Sequence, residues 1–479
     1  MAHDDHSPRS NPMLSADMPS VDEGRDTRMD DEDRLKPEFV RRVREALEAD
    51  EADTVYNLVE PLHPADIADL FELLKADERL VLVRAITDLM GPEVIAELND
   101  HVRELLVESL PAETVAEIAE QLDTDDAVAM IEDLDEADQQ AVLAEMEPED
   151  RAAIESALSY PGETAGRLMS RDFIAVPEHL TVGDLIDYLR ENPTLGTEFW
   201  EVFIVDLHHH PVGTCQLSWI LRTPREIPLA DVMKRDQTII PVAMDQEEVA
   251  LRFQKYALIS AAVIDESGRL VGQITVDDIV HIIQEEAGED VLLLSGAGEG
   301  DINEPIALTV RTRLTWLVVN LGTAIVASSV VGLFQGAIAK FALLAVLMPI
   351  VSGMGGNAGT QTLAVVVRAL ATNQITSSNT WRMIGREFTI ASANGMSLGV
   401  LIGLGVGLMF GNPLLGAVIA AAMLINNLVA GSAGILVPLT LERLRIDPAV
   451  SSAVFVTMAT DVMGFFTFLG LAVLSGLAG

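Results

Sequence analysis

Cysteine, lysine and aromatic residues are scarce in this sequence of 479 residues. Its one cysteine, Cys215, excludes an intramolecular disulfide and any metal site built from several thiolates. Motifs of two common enzyme chemistries are missing as well, since the sequence has no Gly-x-x-x-x-Gly-Lys phosphate loop and no His-Glu-x-x-His zinc motif. We therefore predict that the protein is not an enzyme and is not driven by ATP.

Positive charge is also scarce, and it is unequally distributed. From Arg311 onward the chain has eight basic and four acidic residues, against 23 and 70 before that point. A soluble acidic part therefore precedes a membrane part. Such acidity repels nucleic acid and attracts cations, but an acid-rich surface with little lysine is also typical of salt-adapted proteins. The polar start of the chain shows no signal peptide, so we expect the acidic part to be cytoplasmic.

The first half of the acidic part has a helical pattern. Residues 1–36 are predicted to be a disordered acidic tail, and 37–160 a helical N-terminal domain. Within this domain, large apolar residues recur every twelve positions and most intervals open with a helix-start signal. One short helix per interval would stack into a superhelix. Most acids here are expected to cap helices or to face solvent, as in the run that contains Asp125 and Asp126. The recurring residues are Leu98, Leu110, Leu122, Leu134, Met146 and Leu158.

An internal repeat follows, in which short strand patterns alternate with amphipathic helices. The run Leu168–Pro177 corresponds to Val232–Pro241, and Pro211–Leu221 corresponds to Leu270–Val280. The repeat resembles a tandem pair of CBS domains, at 161–228 and 229–288. Such regulatory pairs commonly bind adenine nucleotides, although no specific nucleotide signature occurs here.

Three adjacent histidines, His208, His209 and His210, lie in a predicted turn of the first repeat. Imidazole has a general affinity for metals. However, three adjacent side chains cannot all point at one ion from a strand, so a solvated turn is favoured over a metal site.

Five hydrophobic segments are long enough to span a bilayer within a domain at 314–479. A connecting segment at 289–313 precedes them, with a Gly-rich break at Gly296–Gly300 before a second helical stretch at Pro305–Arg313. The arginines lie before the first segment and in every second loop after it. The positive-inside rule therefore places these loops and the N-terminal half in the cytoplasm and the C terminus outside. An odd number of spans favours a homodimer with a pore between its subunits. The segments are about Leu314–Gly336, Phe341–Leu370 (with a break near its glycines), Phe388–Phe410, Pro413–Leu441 and Ala449–Leu474.

The last hydrophobic segment carries one acid, Asp461. A carboxylate at the centre of a bilayer costs roughly 3 kcal/mol on insertion scales, so such groups usually face a bundle interior or a wet cavity. We therefore favour a cation path at Asp461. The alternative is an aspartate that is only hydrogen-bonded to Ser, Thr or Asn on a neighbouring helix.

The membrane part contains two distinctive motifs, Pro349-Ile-Val-Ser-Gly-Met-Gly-Gly-Asn-Ala-Gly-Thr-Gln361 in the second segment and Thr460-Asp-Val-Met-Gly-Phe-Phe466 in the fifth. Together these motifs resemble the MgtE family of magnesium channels and transporters. The resemblance extends from about residue 40 to the end. It implies a multidomain membrane protein with an α-helical superhelical N-terminal domain, an α/β CBS pair, a connecting plug helix and five transmembrane helices.

The same resemblance implies that Mg²⁺ is both transported and regulatory. Asp461 would be the selectivity acid, helped by backbone carbonyls near Thr457, because Mg²⁺ keeps several waters and needs few carboxylates. Asn357 and Gln361 could hydrogen-bond in the pore wall. The glycines of the second segment could serve close packing or pore lining. These glycines are Gly353, Gly355, Gly356 and Gly359.

Regulation is expected at cytoplasmic acids that bind Mg²⁺ and close the pore. The positions that match the family's cluster are Asp278, Glu286, Glu289 and Asp290, and we add Asp125 and Asp126 in the helical domain. His281 stands where the family has an acid. Two other functions remain open: a carrier of broader divalent specificity or one coupled to protons, and a membrane sensor of ions or nucleotides that conducts nothing.

Overall fold

The computed structural model describes residues 28–32, 34–132, 134–192, 199–296, 303–376, 378–450 and 452–477. The chain divides into two compact units, Met1–Gly162 with Met169–Asp172, and Glu163–Leu168 with Phe173–Gly479. Residues 1–27 of the predicted disordered tail lie outside the described residues. The prediction of disorder is wrong for the end of that tail, because Met29 and Leu35 form an antiparallel bridge and Leu35 is buried in the core.

The first unit is a stack of short helices. Helices α6 to α10 begin at positions 100, 112, 124, 136 and 148, which confirms the predicted interval of twelve residues. The recurring apolar residues lie in its core or pack against it. A short 3₁₀ helix at Thr87–Leu89 follows the fourth helix. The helices are α1 Pro37–Glu48, α2 Ala52–Val59, α3 Pro64–Leu73, α4 Ala76–Ala85, α5 Pro92–Ala96, α6 Asp100–Glu108, α7 Ala112–Ala119, α8 Thr124–Glu132, α9 Glu136–Glu145 and α10 Pro148–Leu158.

Local sequence explains where these helices begin. The Asp135 carboxylate accepts hydrogen bonds from the backbone N–H groups of Ala137 and Asp138, and so caps α9. Proline stands at the first position of α10, where it has no N–H to leave unpaired. The start signals in the sequence are therefore caps in the structure.

The second unit begins with two α/β modules of identical topology. In each module a first strand pairs parallel with a second, which pairs antiparallel with a third. The first module contains α11 Ala165–Leu168, β1 Ala175–Pro177, α12 Val182–Glu191, β2 Glu201–Val205, β3 Pro211–Gln216, α13 Leu217–Ile220 and α14 Leu229–Val232. The second contains β4 Ile239–Pro241, α15 Gln246–Tyr256, β5 Ser260–Ile264, β6 Leu270–Thr275 and α16 Val276–Ser295.

The two modules share a small apolar core. Phe203 and Val205 on β2 pack with Ala262 on β5 and Leu270 on β6. Equivalent pairs also occupy the same register, since Ala175 lies opposite Phe203 and Ile239 opposite Ala262. The predicted repeat is thereby confirmed as a pair of like modules packed against each other.

Six helices complete the unit, and five of the described helices are long and apolar enough to cross a membrane. In the most apolar part of each span, 56% of the residues of α21 are buried but only 6% of those of α17. Helix α21 is therefore the centre of the bundle, and α17 lies at its outside. The helices are α17 Ile306–Leu333, α18 Gln335–Lys340, α19 Leu343–Ala371, α20 Thr380–Met409, α21 Pro413–Arg443 and α22 Ser452–Leu474.

One prediction about these helices is wrong. Helix α19 is continuous through its glycines, because close packing against α21 and α22 overrides the low helix propensity of glycine. The connecting segment predicted at 289–313 lies in two helices, as its Gly-rich break indicated. The first, α16, ends before Gly296, whose φ of 68° is left-handed, and the second, α17, starts at Ile306.

Candidate cation sites

The acid of the last span is held by a neighbouring helix. Ser352 on α19 donates a hydrogen bond from Oγ to Oδ1 of Asp461 on α22. Asp461 nevertheless stays partly exposed within the span. The alternative of an aspartate bonded to a neighbouring serine thus describes part of the site, but the carboxylate is not sealed. Sequence reasoning did not single out Ser352, although its hydroxyl in an apolar span was a visible signal.

Three other predicted pore residues are exposed on the same two helices. Asn357 and Gln361 lie about one turn apart on α19, while Thr457 lies one turn before Asp461 on α22. The Ser352 bond joins these helices. Helix geometry, at about 100° per residue, places Asn357 and Gln361 roughly 140° and 180° around α19 from Ser352, so they do not share the face that contacts Asp461.

A buried amide lies between the helices that carry Ser352 and Asp461. Asn426 on α21 is fully buried, and its Nδ2 donates to the carbonyl oxygen of Val351 at 2.9 Å. Its Oδ1 is buried and has no hydrogen-bond partner among the described residues. A Cβ atom on Gly464 would lie 2.8 Å from Nδ2, and one on Gly355 would lie 2.8 Å from Cγ. The amide therefore occupies space that only glycine leaves on both sides.

The glycines of α19 divide into two kinds. Gly355 and Gly359 are buried, and a Cβ atom on Gly359 would lie 2.6 Å from Cγ1 of Val456. Around Gly353 and Gly356 no described atom lies within 4 Å of such a Cβ. Gly355, predicted as a pore residue, thus serves packing, whereas Gly356 lies on the open side.

Sequence reasoning also missed a buried acid in another span. Glu387 near the start of α20 is 5% exposed, and Thr362 Oγ1 lies 3.4 Å from its Oε2. Arg386 is 3.8 Å from its other oxygen. Its presence in a span could have been read as a functional signal.

One stretch of α20 has the Gly-x-Ser-x-Gly spacing of hydrolase nucleophiles, at 395–399. It lies inside the helix rather than on the strand-to-helix turn that this motif requires. Ser397 Oγ donates to the carbonyl of Ala393 at 2.8 Å. The spacing is therefore no sign of a nucleophile.

Carboxylates gather at the end of α16. Burial raises the pKa of Glu289, and the negative charges of Glu286, Glu163, Asp447 and Glu285 raise it further. These acids come from α16, from the start of the second unit and from the loop between α21 and α22. Two of the four predicted acids of this region, Glu286 and Glu289, are thus brought together with partners that the sequence did not suggest.

The other predicted regulatory acids lie elsewhere. Asp278 caps the start of α16, because its Oδ2 accepts a hydrogen bond from Thr275 Oγ1 at 2.5 Å. Glu289 stands eleven positions further along the same helix, about 16 Å away. The side chain of Asp290 lies outside those described. Asp125 and Asp126 are in the first turn of α8, in the other unit.

A second group of acids lines a cavity of about 460 Å³ between α15 and the ends of α19 and α21. Its acidic lining consists of Asp245, Glu247, Glu248, Glu442 and Asp447. Asp447 therefore belongs to both acidic groups. Negative potential focused in such a cleft attracts cations.

The end of α16 also contacts the membrane helices. Leu293 and Leu294 pack against an apolar cluster that includes Leu363 on α19 and Val456 on α22. The helix thus runs from the second α/β module to the two helices that carry Ser352 and Asp461.

A bundle of spans with a partly exposed acid, joined to a CBS pair, defines a membrane protein that transports cations. Three family models match the chain: a divalent cation transporter model, MgtE, at residues 348–471, the MgtE intracellular N domain at 62–163, and the CBS domain at 229–285. These matches agree with the predicted fold class.

Curated relatives narrow this class to one family. The chain is 30% identical over 321 residues to the magnesium transporter MgtE of Bacillus subtilis. The aligned region covers 67% of this chain and 71% of the relative. The chain is also 32% identical over 319 residues to the magnesium transporter MgtE of Enterococcus faecalis, with 67% and 70% covered. The chain belongs to the MgtE family of magnesium transporters. Since these relatives are named as transporters, the prediction that the chain is not an enzyme is confirmed.

Among solved structures, the cytosolic domain of the Mg²⁺ channel MgtE in complex with ATP is similar to this chain. The identity is 27% and the TM-score 0.47, and the match covers 51% of this chain and 99% of that one.

Proposed function

We propose that the protein is a Mg²⁺-selective channel formed by a homodimer, with Asp461 of each subunit at the ion path. The observation that carries this proposal is a carboxylate that Ser352 fixes in place while it stays partly exposed inside a membrane span. Mg²⁺ dehydrates reluctantly and is usually bound by one or two carboxylates through or beside its waters. A facing pair of such acids would supply that charge.

Mg²⁺ flux into liposomes tests this proposal. We expect Asp461→Asn to lower the flux more than about tenfold, because an uncharged amide removes the charge that attracts the ion. Met463→Leu, an exposed position two residues further along α22, is the matched control and should leave the flux unchanged. Wild-type flux in Asp461→Asn would contradict the proposal. Comparable flux of Ca²⁺, Mn²⁺ or Co²⁺, or a steep dependence on a proton gradient, would favour a broader or proton-coupled carrier.

The same proposal includes closure by Mg²⁺ on the cytoplasmic side, where we place the acidic part of the chain. Its support is the set of carboxylates around Glu289, whose mutual repulsion a bound cation would relieve. We expect Glu286→Gln with Glu289→Gln to weaken inhibition of flux by cytoplasmic Mg²⁺. Glu266→Gln, an exposed acid in the second α/β module, is the control. Unchanged inhibition in the double variant would refute this gating role.

Adenine nucleotide is the second ligand that we propose, at the CBS pair. Titration of ATP into the purified protein, with and without Mg²⁺, tests this part by itself. No heat of binding in either condition would remove nucleotide from the proposed regulation. A protein that shows no Mg²⁺ flux yet binds either ligand would instead be a sensor.

A further inference from the structure

The turn between β2 and β3 is organised by one aspartate. Asp206 Oδ1 accepts hydrogen bonds from the backbone N–H groups of His208 at 2.7 Å and His210 at 2.9 Å. His209, between them, has a left-handed φ of 65°. These two backbone bonds fix the carboxylate in position.

The second module builds the corresponding turn in the same way. Asp265 Oδ1 accepts from the N–H groups of Ser267 at 2.8 Å and Arg269 at 2.9 Å, and Gly268 has a left-handed φ of 82°. The two turns thus have the same backbone conformation, and they differ in their side chains.

The difference concerns the second carboxylate oxygen. In the second module, Oδ2 of Asp265 accepts from the Arg269 guanidinium, with Nη2 at 2.9 Å. In the first module, Oδ2 of Asp206 is hydrogen-bonded to His210 Nδ1 at 3.1 Å, and His208 Nδ1 lies 4.0 Å from it. The two imidazole rings are stacked, with centroids 5.8 Å apart. The Nδ1 atoms of His208 and His210, which are able to bind a metal ion, therefore lie where the second module has the positively charged guanidinium of Arg269.

The spacing of these atoms suits a small metal ion. One ligand atom from each of Asp206, His208 and His210 lies within 4.8 Å of the others. Bond lengths of about 2.0 to 2.1 Å in a tetrahedral zinc site put neighbouring ligand atoms roughly 3.3 Å apart. The distance of 3.1 Å between Asp206 and His210 already meets this spacing. His208 is exposed, so a small side-chain rotation can shorten its 4.0 Å distance.

We propose that Asp206, His208 and His210 form a binding site for a borderline transition-metal ion, represented by Zn²⁺, that is separate from the Mg²⁺ sites. Two imidazole nitrogens and one carboxylate oxygen are ligands of Zn²⁺, whereas Mg²⁺ takes oxygen ligands. The backbone bonds to the other oxygen of Asp206 orient this ligand, as outer-shell partners do in metal sites. Three protein ligands leave the fourth position to water.

The site lies where the first module meets the second. The N–H of Leu270 donates to the carbonyl of His209 at 2.9 Å. A Cβ atom on Gly268 would lie 3.4 Å from Cδ2 of the His210 ring. A bound ion would therefore stiffen a turn that touches the other module, which gives it a route to the regulatory pair.

Calorimetric titration of Zn²⁺ into the purified full-length protein, at saturating Mg²⁺, tests the site. His208→Ser with His210→Arg gives the first turn the residues of its sister turn, so the fold is preserved while the imidazoles are lost. His209→Gly makes the third exchange of the same kind and is the matched control. We expect the double variant to bind Zn²⁺ about tenfold or more weakly at one site, and the control to bind like wild type. Equal Zn²⁺ affinity and stoichiometry in all three proteins would overturn the proposal, as would equal losses in the variant and the control.

Discussion

Replacing Gly355 by alanine tests the packing behind the ion path. The new methyl carbon would lie 2.8 Å from Cγ of Asn426 and closer still to its Nδ2. The amide must therefore move, and it is fully buried with no open space to enter. Because Asn426 also packs against Gly464, one turn from Asp461, its displacement would disturb the helix that carries the acid.

The cost has two parts. Overpacking a close contact typically costs about 1 to 3 kcal/mol. If the bond from Asn426 to the carbonyl of Val351 is lost, a buried donor is left unsatisfied, at about 1 to 3 kcal/mol more. We therefore expect Gly355→Ala to lower the free energy of unfolding by about 2 to 6 kcal/mol when both costs apply. At about 2 °C per kcal/mol for a domain of this size, the melting temperature should fall by roughly 4 °C or more.

The assay is thermal unfolding of the purified protein in detergent. Gly353→Ala is the matched control, since it makes the same exchange two residues earlier in α19, where no described atom lies within 4 Å. Alanine has a higher helix propensity than glycine, so the control should be neutral or slightly more stable.

Equal losses in Gly355→Ala and Gly353→Ala would refute the role of Asn426. A double-mutant cycle with Asn426→Ala tests it further, because removal of the amide makes room for the methyl group. Gly355→Ala should then cost less in the Asn426→Ala background than in the wild type. Strictly additive effects would contradict the proposed contact.

Three other expectations follow from the described contacts. Protons compete with Mg²⁺ for Glu289, whose pKa is raised by burial and by neighbouring acids, so half-maximal Mg²⁺ for closure should rise as the pH is lowered and should change less in Glu289→Gln. Ser352→Ala removes the donor to Asp461 and should weaken Mg²⁺ selectivity measured against Ca²⁺, while Ser352→Thr should retain it. Gly183→Ala places a methyl carbon 2.9 Å from a backbone carbonyl oxygen, so it should destabilise the first α/β module by about 1 to 3 kcal/mol in chemical unfolding.

Sequence patterns predicted the parts of the fold that rest on local chemistry. The interval of twelve residues, the α/β repeat and the five apolar segments each follow from periodicity, and each is present. The continuity of α19 was not predictable in this way. Glycine is a poor helix former in isolation, and only the contacts of Gly355 and Gly359 with other helices show why the helix persists.

The candidate sites show the same division. Asp461 was visible in the sequence because a charge in an apolar run needs a reason. Its partner Ser352, 109 positions away, and the gathering of Glu163 and Asp447 around Glu289 depend on tertiary structure. The histidine turn shows a limit of the adjacency argument. Three adjacent side chains cannot all point at one ion from a strand, but His208 and His210 occupy alternate positions of a turn, and both lie near Asp206.

The uninterrupted course of α16 has a mechanical consequence. A helix of 20 residues is about 30 Å long and behaves as a stiff rod. Its base continues directly from strand β6, so a rotation of that sheet by about 5° would swing the far end sideways by about 2.6 Å, as for any rigid lever of that length. Leu293 and Leu294 lie at that far end, and the sideways displacement is comparable to the width of a water molecule.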